Sequence, residues 1–155
     1  MKKKILAVTS LDKTIEDLVN ETDQKTLAKW ACDCVERVLH LYDNHCSDDK
    51  RPQEALQACR AWIETGEFSM LKIRKCALAS HEAAREIEEF NPARSVARAA
   101  GHAVATAHVF TYAKGTALYA ATSIRDASKS TDAETRTLKE RKCLYCHPLQ
   151  LRYLS

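Results

Sequence analysis

The fold class is indicated most clearly by the stretch DQKTLAKWACDCVERVLHLY, residues 23–42. Its apolar side chains recur at steps of three and four residues, which places them along one side of an α-helix. They are Leu27, Trp30, Ala31, Cys34, Val35, Val38, Leu41 and Tyr42. Asp23 has the side chain of a helix N-cap, and Asp43 and Asn44 supply a turn at the other end. The stretch therefore predicts an amphipathic helix.

Two further helices are predicted between residues 52 and 89. Pro52 stands in the first turn of one helix, where a proline is well tolerated, and Gly66 ends that helix as a C-terminal cap. The other helix is expected from about residue 68 to residue 89. Its inward-facing side chains are expected to be Met70, Ile73, Ala77, Ala84 and Ile87.

An alanine-rich segment follows and is expected to occupy the centre of the protein. Asn91 provides its N-cap and Pro92 its first helical position, and the helical pattern continues to about residue 127. Small side chains let helix axes approach closely, as in the middle of a helical bundle. We expect a break between residues 109 and 115, a polar linker over residues 128–132, and a last helix over about residues 133–143.

The composition agrees with a bundle of helices. Three glycines and three prolines in 155 residues allow few tight turns, which favours long helices with short connections. The length is that of one domain with its own core. We therefore predict an all-α protein, a single compact bundle of five or six helices over residues 1–155. Residues 1–22 and 144–155 are expected to be loosely ordered ends.

The N-terminal segment and the cysteines indicate a cytoplasmic protein. The apolar run over residues 5–8 is too short for the core of a signal peptide or for a membrane span, so no membrane partner is expected. Seven cysteines are an odd number for a disulfide framework. In a reducing compartment the helical ones are interpreted as small apolar residues. These are Cys32, Cys34, Cys59 and Cys76.

The net charge of +3 is unevenly distributed. Residues 1–90 carry 14 basic and 17 acidic side chains, whereas residues 91–155 carry 10 basic and 4 acidic ones. A basic C-terminal third could face an acidic partner or nucleic acid. Because it contains no arginine-rich run and few aromatic residues between its cations, we interpret it as a solvated basic face and do not expect a nucleic-acid partner.

No motif predicts a catalytic chemistry. His81 and Glu82 begin like the helix of a zinc protease, but Arg85 stands where the second histidine is required. The chain also lacks a glycine-rich phosphate loop and a nucleophile with an evident base. We therefore predict that the protein is not an enzyme and has no cofactor.

A cysteine- and histidine-containing run lies near the C-terminus. Cys143, Cys146 and His147 match the C-x-x-C-H pattern of covalent haem attachment, but that attachment requires export. A zinc site formed by the same three residues is an alternative, with Cys46 or His45 as a fourth ligand. The other interpretation is that these cysteines are incidental.

Seven residues are candidates for a polar cluster or a partner surface. They are Asp49, Arg51, Trp62, His81, Arg85, His102 and His108. Asp48 or Asp49 is expected to cap the helix that contains Pro52, while Arg51 reaches a carboxylate on a neighbouring helix. Trp62 has the side chain of an interface anchor, yet we interpret it, like Trp30, as a core residue.

The two histidines of the alanine-rich helix do not form a metal site by themselves. His102 and His108 project about 120° apart around the helix axis, so they cannot chelate one ion. Each is expected to donate a hydrogen bond to a carbonyl, hydroxyl or carboxylate inside the bundle. An alternative is that both converge with His81, Arg85 and Tyr119 on a pocket of an enzyme or a small-molecule binder.

Several sequence blocks, taken in order, resemble one protein family. They are Asp49-Lys50-Arg51-Pro52, Ala55 to Trp62, Gly66-Glu67, His81 to Arg85, Ala97 to His108, and Gly115 to Ala120. The blocks are similar to small helical bacterial proteins described as candidate immunity proteins of polymorphic toxin systems. The resemblance covers about residues 23–121, and the chain departs from the family pattern at Phe110, Tyr112 and the segment after Glu140.

This resemblance implies a protein that binds and neutralises a cognate toxin domain in the cytoplasm. The partner would then be a protein, and association into a homo-oligomer is left open. The same resemblance implies a function by binding rather than by catalysis.

Overall fold

The computed structural model describes residues 6–7, 12–128 and 132–140, and it is built from helices. Seven are found in these ranges: α1 (Asp12–Asn20), α2 (Gln24–Asp43), α3 (Arg51–Thr65), α4 (Met70–Arg85), α5 (Pro92–Ala105), α6 (Tyr112–Ala127) and α7 (residues 133–140). The described ranges contain no strand. The all-α prediction is confirmed.

The predicted count of five or six helices is wrong. Residues 1–22 were not expected to contain a helix, but α1 forms there and packs against α6. Its buried side chains, Ile15, Leu18 and Val19, make a stripe of only three residues. Such a stripe is too short to stand out as a helical period, and it is stabilised by tertiary packing.

The helix predicted from residues 23–42 is confirmed to within one residue. The backbone N–H of Thr26 donates to Asp23 Oδ2 at 2.9 Å, so Asp23 is the N-cap of α2. The apolar stripe faces the core, with Trp30 only 1 % exposed. Tyr42, at the other end of the stripe, is fully buried. Periodicity and capping chemistry were sufficient to locate this helix.

The boundaries of α3 and the start of α5 also follow from capping residues. Gly66 adopts a left-handed conformation with φ of 71°, and its N–H donates to the carbonyl of Trp62 at 2.8 Å. Asn91 Oδ1 accepts from the N–H of Ala93 at 3.0 Å, and Pro92 is the first residue of α5. Both predicted caps are confirmed.

The helix predicted over residues 68–89 is shorter than expected. Ser69 is the N-cap of α4, and Glu86 caps its other end. The chain then turns through Phe90, whose φ of 63° lies in the left-handed region. Of the predicted inward side chains, Ile73, Ala84 and Ile87 are buried, the last of them beyond the end of the helix.

The α5 helix lies at the centre of the bundle, as predicted. It packs against α2, α3, α4 and α6. Its buried residues are mostly small: Ala93, Ser95, Val96, Ala97, Ala99, Ala100, Gly101, Ala103 and Val104. Short side chains on a helix surrounded by four others allow close approach of all the axes.

The expected break in the alanine-rich segment occurs at residues 106–111, a few positions earlier than predicted. A side chain from α2 donates hydrogen bonds to the backbone at this interruption. Gln24 Nε2 donates to the carbonyl oxygens of Thr106 at 2.9 Å and of Ala107 at 3.0 Å. These hydrogen bonds satisfy carbonyl groups that a helix end leaves without partners.

The α7 helix is attached to α2 by a two-pronged ion pair. Arg37 Nε donates to Glu140 Oε1 at 2.8 Å, and Arg37 Nη2 donates to Oε2 at 3.0 Å. Glu140 is buried, so this pairing satisfies a carboxylate that is largely removed from water. The predicted start of the helix at residue 133 is confirmed, and its predicted end lies outside the described residues.

The cysteines that the structure describes are free thiols, namely Cys32, Cys34, Cys46, Cys59 and Cys76. Cys32, Cys34 and Cys59 are buried among apolar side chains, as predicted, and Cys76 is half-buried. No helix of the described residues is both long enough and apolar enough to cross a membrane.

Candidate functional site

Four rings from three helices meet around His102. His102, on α5, lies 5.2 Å from the ring of His81 on α4, measured between centroids, in an edge-to-face arrangement. On its other sides are two rings of α6, Tyr119 at 5.3 Å in a stacked arrangement and Tyr112 at 5.4 Å. We refer to His81, His102, Tyr112 and Tyr119 as the histidine cluster.

Two glycines make room for these rings. A Cβ atom at Gly101 would lie 2.6 Å from His81 Nε2, so the ring of His81 rests directly on the backbone of α5. A Cβ atom at Gly115 would lie 3.0 Å from Nδ1 of His102. Each histidine thus packs against a glycine of the next helix along the chain, which explains two of the three glycines in the sequence.

One ring nitrogen of each histidine is buried without a hydrogen bond. Nδ1 of His81 and Nδ1 of His102 have no hydrogen-bond partner within the described residues. Burial lowers the pKa of both histidines to about 4, and the charges of His102, Arg98 and Arg85 contribute to the lowering at His81. Both rings are therefore neutral at physiological pH, and each offers one N–H and one lone pair.

The cluster opens onto a groove between α4 and the α5–α6 connection, with a volume of about 430 Å³. It is lined by Ile73, Arg74, Ala77, Leu78, His81, Ala105, His108 and Tyr112. The α4 side of the lining contains three apolar residues together with Arg74 and His81, and the opposite side contains Ala105, His108 and Tyr112. Such a groove can hold a small molecule or a side chain of a protein partner.

The structure brings some of the candidate residues together. His81 and His108 line the groove, and His102 lies behind it against His81. Tyr119, from the predicted pocket alternative, stacks on His102. Arg85 is exposed at the end of α4, and its charge acts on His81.

The expected hydrogen bonding of the two α5-segment histidines is wrong. His102 packs against aromatic rings, and its Nδ1 has no hydrogen-bond partner within the described residues. His108 lies beyond the end of α5, in the connection to α6, and is exposed. The break in the helix separates the two residues, so their predicted relative orientation does not apply.

Sequence reasoning missed two members of this region. Tyr112 was noted only as a departure from a family pattern, although it contacts His102 and lines the groove. Arg98 is half-buried one helical turn before His102, and burial lowers its pKa. The four-residue spacing between Arg98 and His102 was the available signal, because residues so spaced share a helix face.

Arg51 forms a separate ion-pair network between α3 and α4. Its Nη2 lies 2.7 Å from Asp49 Oδ2 and 2.7 Å from Glu86 Oε2. Arg51 therefore reaches a carboxylate at the end of a neighbouring helix, as predicted. Hydrogen bonds from Arg51 lower the pKa of Asp49 to about 2, despite an opposing contribution from burial. This network joins the start of α3 to the end of α4.

Neither predicted aspartate is the N-cap of α3. Lys50 occupies the cap position and makes no side-chain capping bond. Asp49, one residue earlier, instead accepts from the backbone N–H of Arg51 at 3.1 Å and holds the Arg51 side chain. Trp62 is 9 % exposed and belongs to the core, as expected.

The outer side of α4 carries a row of exposed side chains. They are Leu71, Arg74, Lys75, Leu78, Glu82 and Arg85, which we call the α4 face. Leu71 is 82 % exposed and Leu78 is 57 % exposed. These two leucines contribute little to folding, and they form an exposed apolar part of the α4 face that a partner could bury.

Within the part of the chain that the structure describes, no group of three or more potential ligands is arranged to hold a metal ion. The alternative zinc ligands Cys143, Cys146 and His147 lie outside the described residues. That alternative stays a prediction.

Replacing Gly101 by alanine tests the packing of the histidine cluster. The new methyl group would push the His81 ring off α5, and overpacking of this kind costs about 1 to 3 kcal/mol. Alanine also gains about 1 kcal/mol from helix propensity, so we expect a net loss of stability in urea denaturation. Adding His81→Ala should recover part of the loss. Strictly additive effects of the two substitutions would contradict the contact.

Comparison with known proteins gives one family match. A family model described as "Imm-5 like putative immunity protein" matches residues 17–146. No curated protein and no solved structure matches the chain. The matched range contains α2 to α7, the histidine cluster and the α4 face.

Proposed function

Because the chain belongs to the Imm-5 like immunity protein family, we propose that it binds a cognate toxin domain in the cytoplasm and neutralises it. The family match over residues 17–146 carries this proposal. Binding requires an accessible surface with side chains that a partner can bury, and the α4 face and its neighbouring groove offer one.

Some of the candidate binding residues are accessible to a partner, and others are not. His81, Arg85 and His108 have accessible surface at or beside the groove and are proposed to contact the partner. His102 packs against His81, and Trp62 is a core residue. Both are proposed to act indirectly, by fixing the positions of α5 and α3. Asp49 and Arg51 are proposed to hold α4 in place through Glu86.

The proposal is tested by capture followed by a growth assay. Tagged protein is recovered from its own organism, and the proteins that accompany it in roughly equal amount are identified by mass spectrometry. A domain of the captured protein should arrest growth when expressed alone, and co-expression of this chain should restore growth. A captured domain that remains toxic in the presence of this chain would contradict neutralisation.

A second candidate function is the binding of a small anionic molecule at the histidine cluster. Two buried nitrogens without hydrogen bonds favour it, since a ligand could supply their partners. The guanidinium groups of Arg85 and Arg98 act electrostatically on His81, so a negative charge would be stabilised nearby. Mass spectrometry of the native protein purified from its host distinguishes this function. A bound compound lost on His81→Ala would support it, and the unliganded mass alone would count against it.

A further inference from the structure

We propose that the α4 face is the surface that docks the toxin domain, and that it receives an acidic amphipathic segment whose apolar side chains lie against Leu71 and Leu78. This inference rests on the proposed function and specifies where and by what chemistry the partner binds. It follows from exposure, charge and the adjoining groove.

The α4 face exposes apolar side chains to solvent. Leu71 and Leu78 are two helical turns apart on the same side of α4, with 82 % and 57 % of their surface open. Tyr112, across the groove from Leu78, is 41 % exposed. An apolar strip flanked by an open groove lets a partner bury leucine and tyrosine side chains at the centre of an interface.

The charge of the α4 face favours an acidic partner. The α4 face carries three cations, Arg74, Lys75 and Arg85, against a single carboxylate, Glu82. Within the described residues none of these cations forms an ion pair with a carboxylate, whereas Arg37, Arg51 and Arg60 all do. Positive groups beside exposed leucines match a segment that carries carboxylates beside its own apolar side chains.

The α4 face adjoins the groove. Arg74 and Leu78 belong both to the α4 face and to the groove lining, so the two features form one continuous surface. His81 forms the far end of this lining and rests on Gly101, which fixes its position. An apolar side chain of the partner can therefore enter between Leu78 and Tyr112 while a carboxylate meets Arg74.

The test uses the growth-arresting domain recovered in the capture experiment, titrated against the full-length chain by calorimetry. Arg74→Glu and Leu78→Asp should each weaken binding by at least about 30-fold, the size of effect expected at the centre of an interface. The matched control is Lys29→Glu, an exposed cation of α2, which should change the affinity by less than about threefold. Unchanged thermal unfolding of all three variants shows that they remain folded.

Three other results would overturn the inference. They differ in whether they also contradict the proposed function. Binding and growth protection that persist in both α4 variants would leave the proposed function intact and place the interface elsewhere. A wild-type chain that neither binds nor protects would remove both proposals. A wild-type homodimer that Leu78→Asp dissociates, with toxin affinity unchanged, would assign the α4 face to a second copy of this chain.

Discussion

Trp30→Ala is expected to lower the free energy of unfolding by about 3 to 5 kcal/mol, the usual cost of removing a buried tryptophan side chain. Trp30 is 1 % exposed and is the largest of the fully buried side chains in the described residues. Its removal leaves a cavity on α2, and the buried side chains of α5, which packs against α2, are mostly small and cannot fill the space. Urea denaturation near neutral pH measures the loss.

The matched control for this prediction is Leu71→Ala. Leu71 is 82 % exposed, so its truncation should change the free energy of unfolding by less than about 0.5 kcal/mol. A comparable loss in the two variants would contradict the assignment of Trp30 to the core and of Leu71 to the exposed surface.

Acidification is expected to destabilise the protein by about 2 kcal/mol between about pH 7 and pH 5. An unfolded histidine titrates near its ordinary pKa of 6.5, whereas His81 and His102 have a pKa of about 4 in the folded protein. Between these values the unfolded chain binds more protons, so the full stability is present above 6.5 and is lost as pH falls towards 4. The stated size is about half the linkage value for this pH interval, because both rings retain contact with solvent.

Denaturation curves at a series of pH values measure this loss. Substituting glutamine for His81 or for His102 should make the dependence on pH clearly shallower in each case. His40→Gln, at an exposed position of α2, is the control for the loss of a histidine as such. If the control variant reduced the pH dependence as much as the cluster variants do, His81 and His102 would not be the cause of that dependence.

The α2 and α3 helices could be predicted because their signals are local. The apolar period of residues 23–42, the cap at Asp23 and the left-handed Gly66 each act within a few residues of their own position. The α1 helix lacks such signals and is held by its packing on α6. Tertiary contact decides the state of such a short segment, and a sequence pattern does not record that contact.

Only part of the membership of the candidate site could be predicted from the sequence. His81, His102 and Tyr119 were grouped from the sequence, but their stacking depends on the packing of α4 and α6 against α5. The partner of Arg51 could not be chosen either, since the first 90 residues contain 17 carboxylates and the arrangement of helices selects Glu86.

One unused signal was the presence of Gly101 and Gly115 inside helical segments. A glycine in a helix costs about 1 kcal/mol relative to alanine, so two of them in an alanine-rich region indicate close approach of another group. The structure shows that this group is a histidine ring in both cases.

The exposure of the α4 face has a consequence for how the protein can evolve. Around α5, a larger side chain at a buried alanine would disturb several helices at once, so few changes are tolerated there. On the α4 face, a new side chain meets only solvent and costs the fold almost nothing. Mutations can therefore accumulate at Leu71, Lys75 or Glu82 while the scaffold is inherited unchanged, and the surface that this face presents can change in a lineage without extra stability being acquired first.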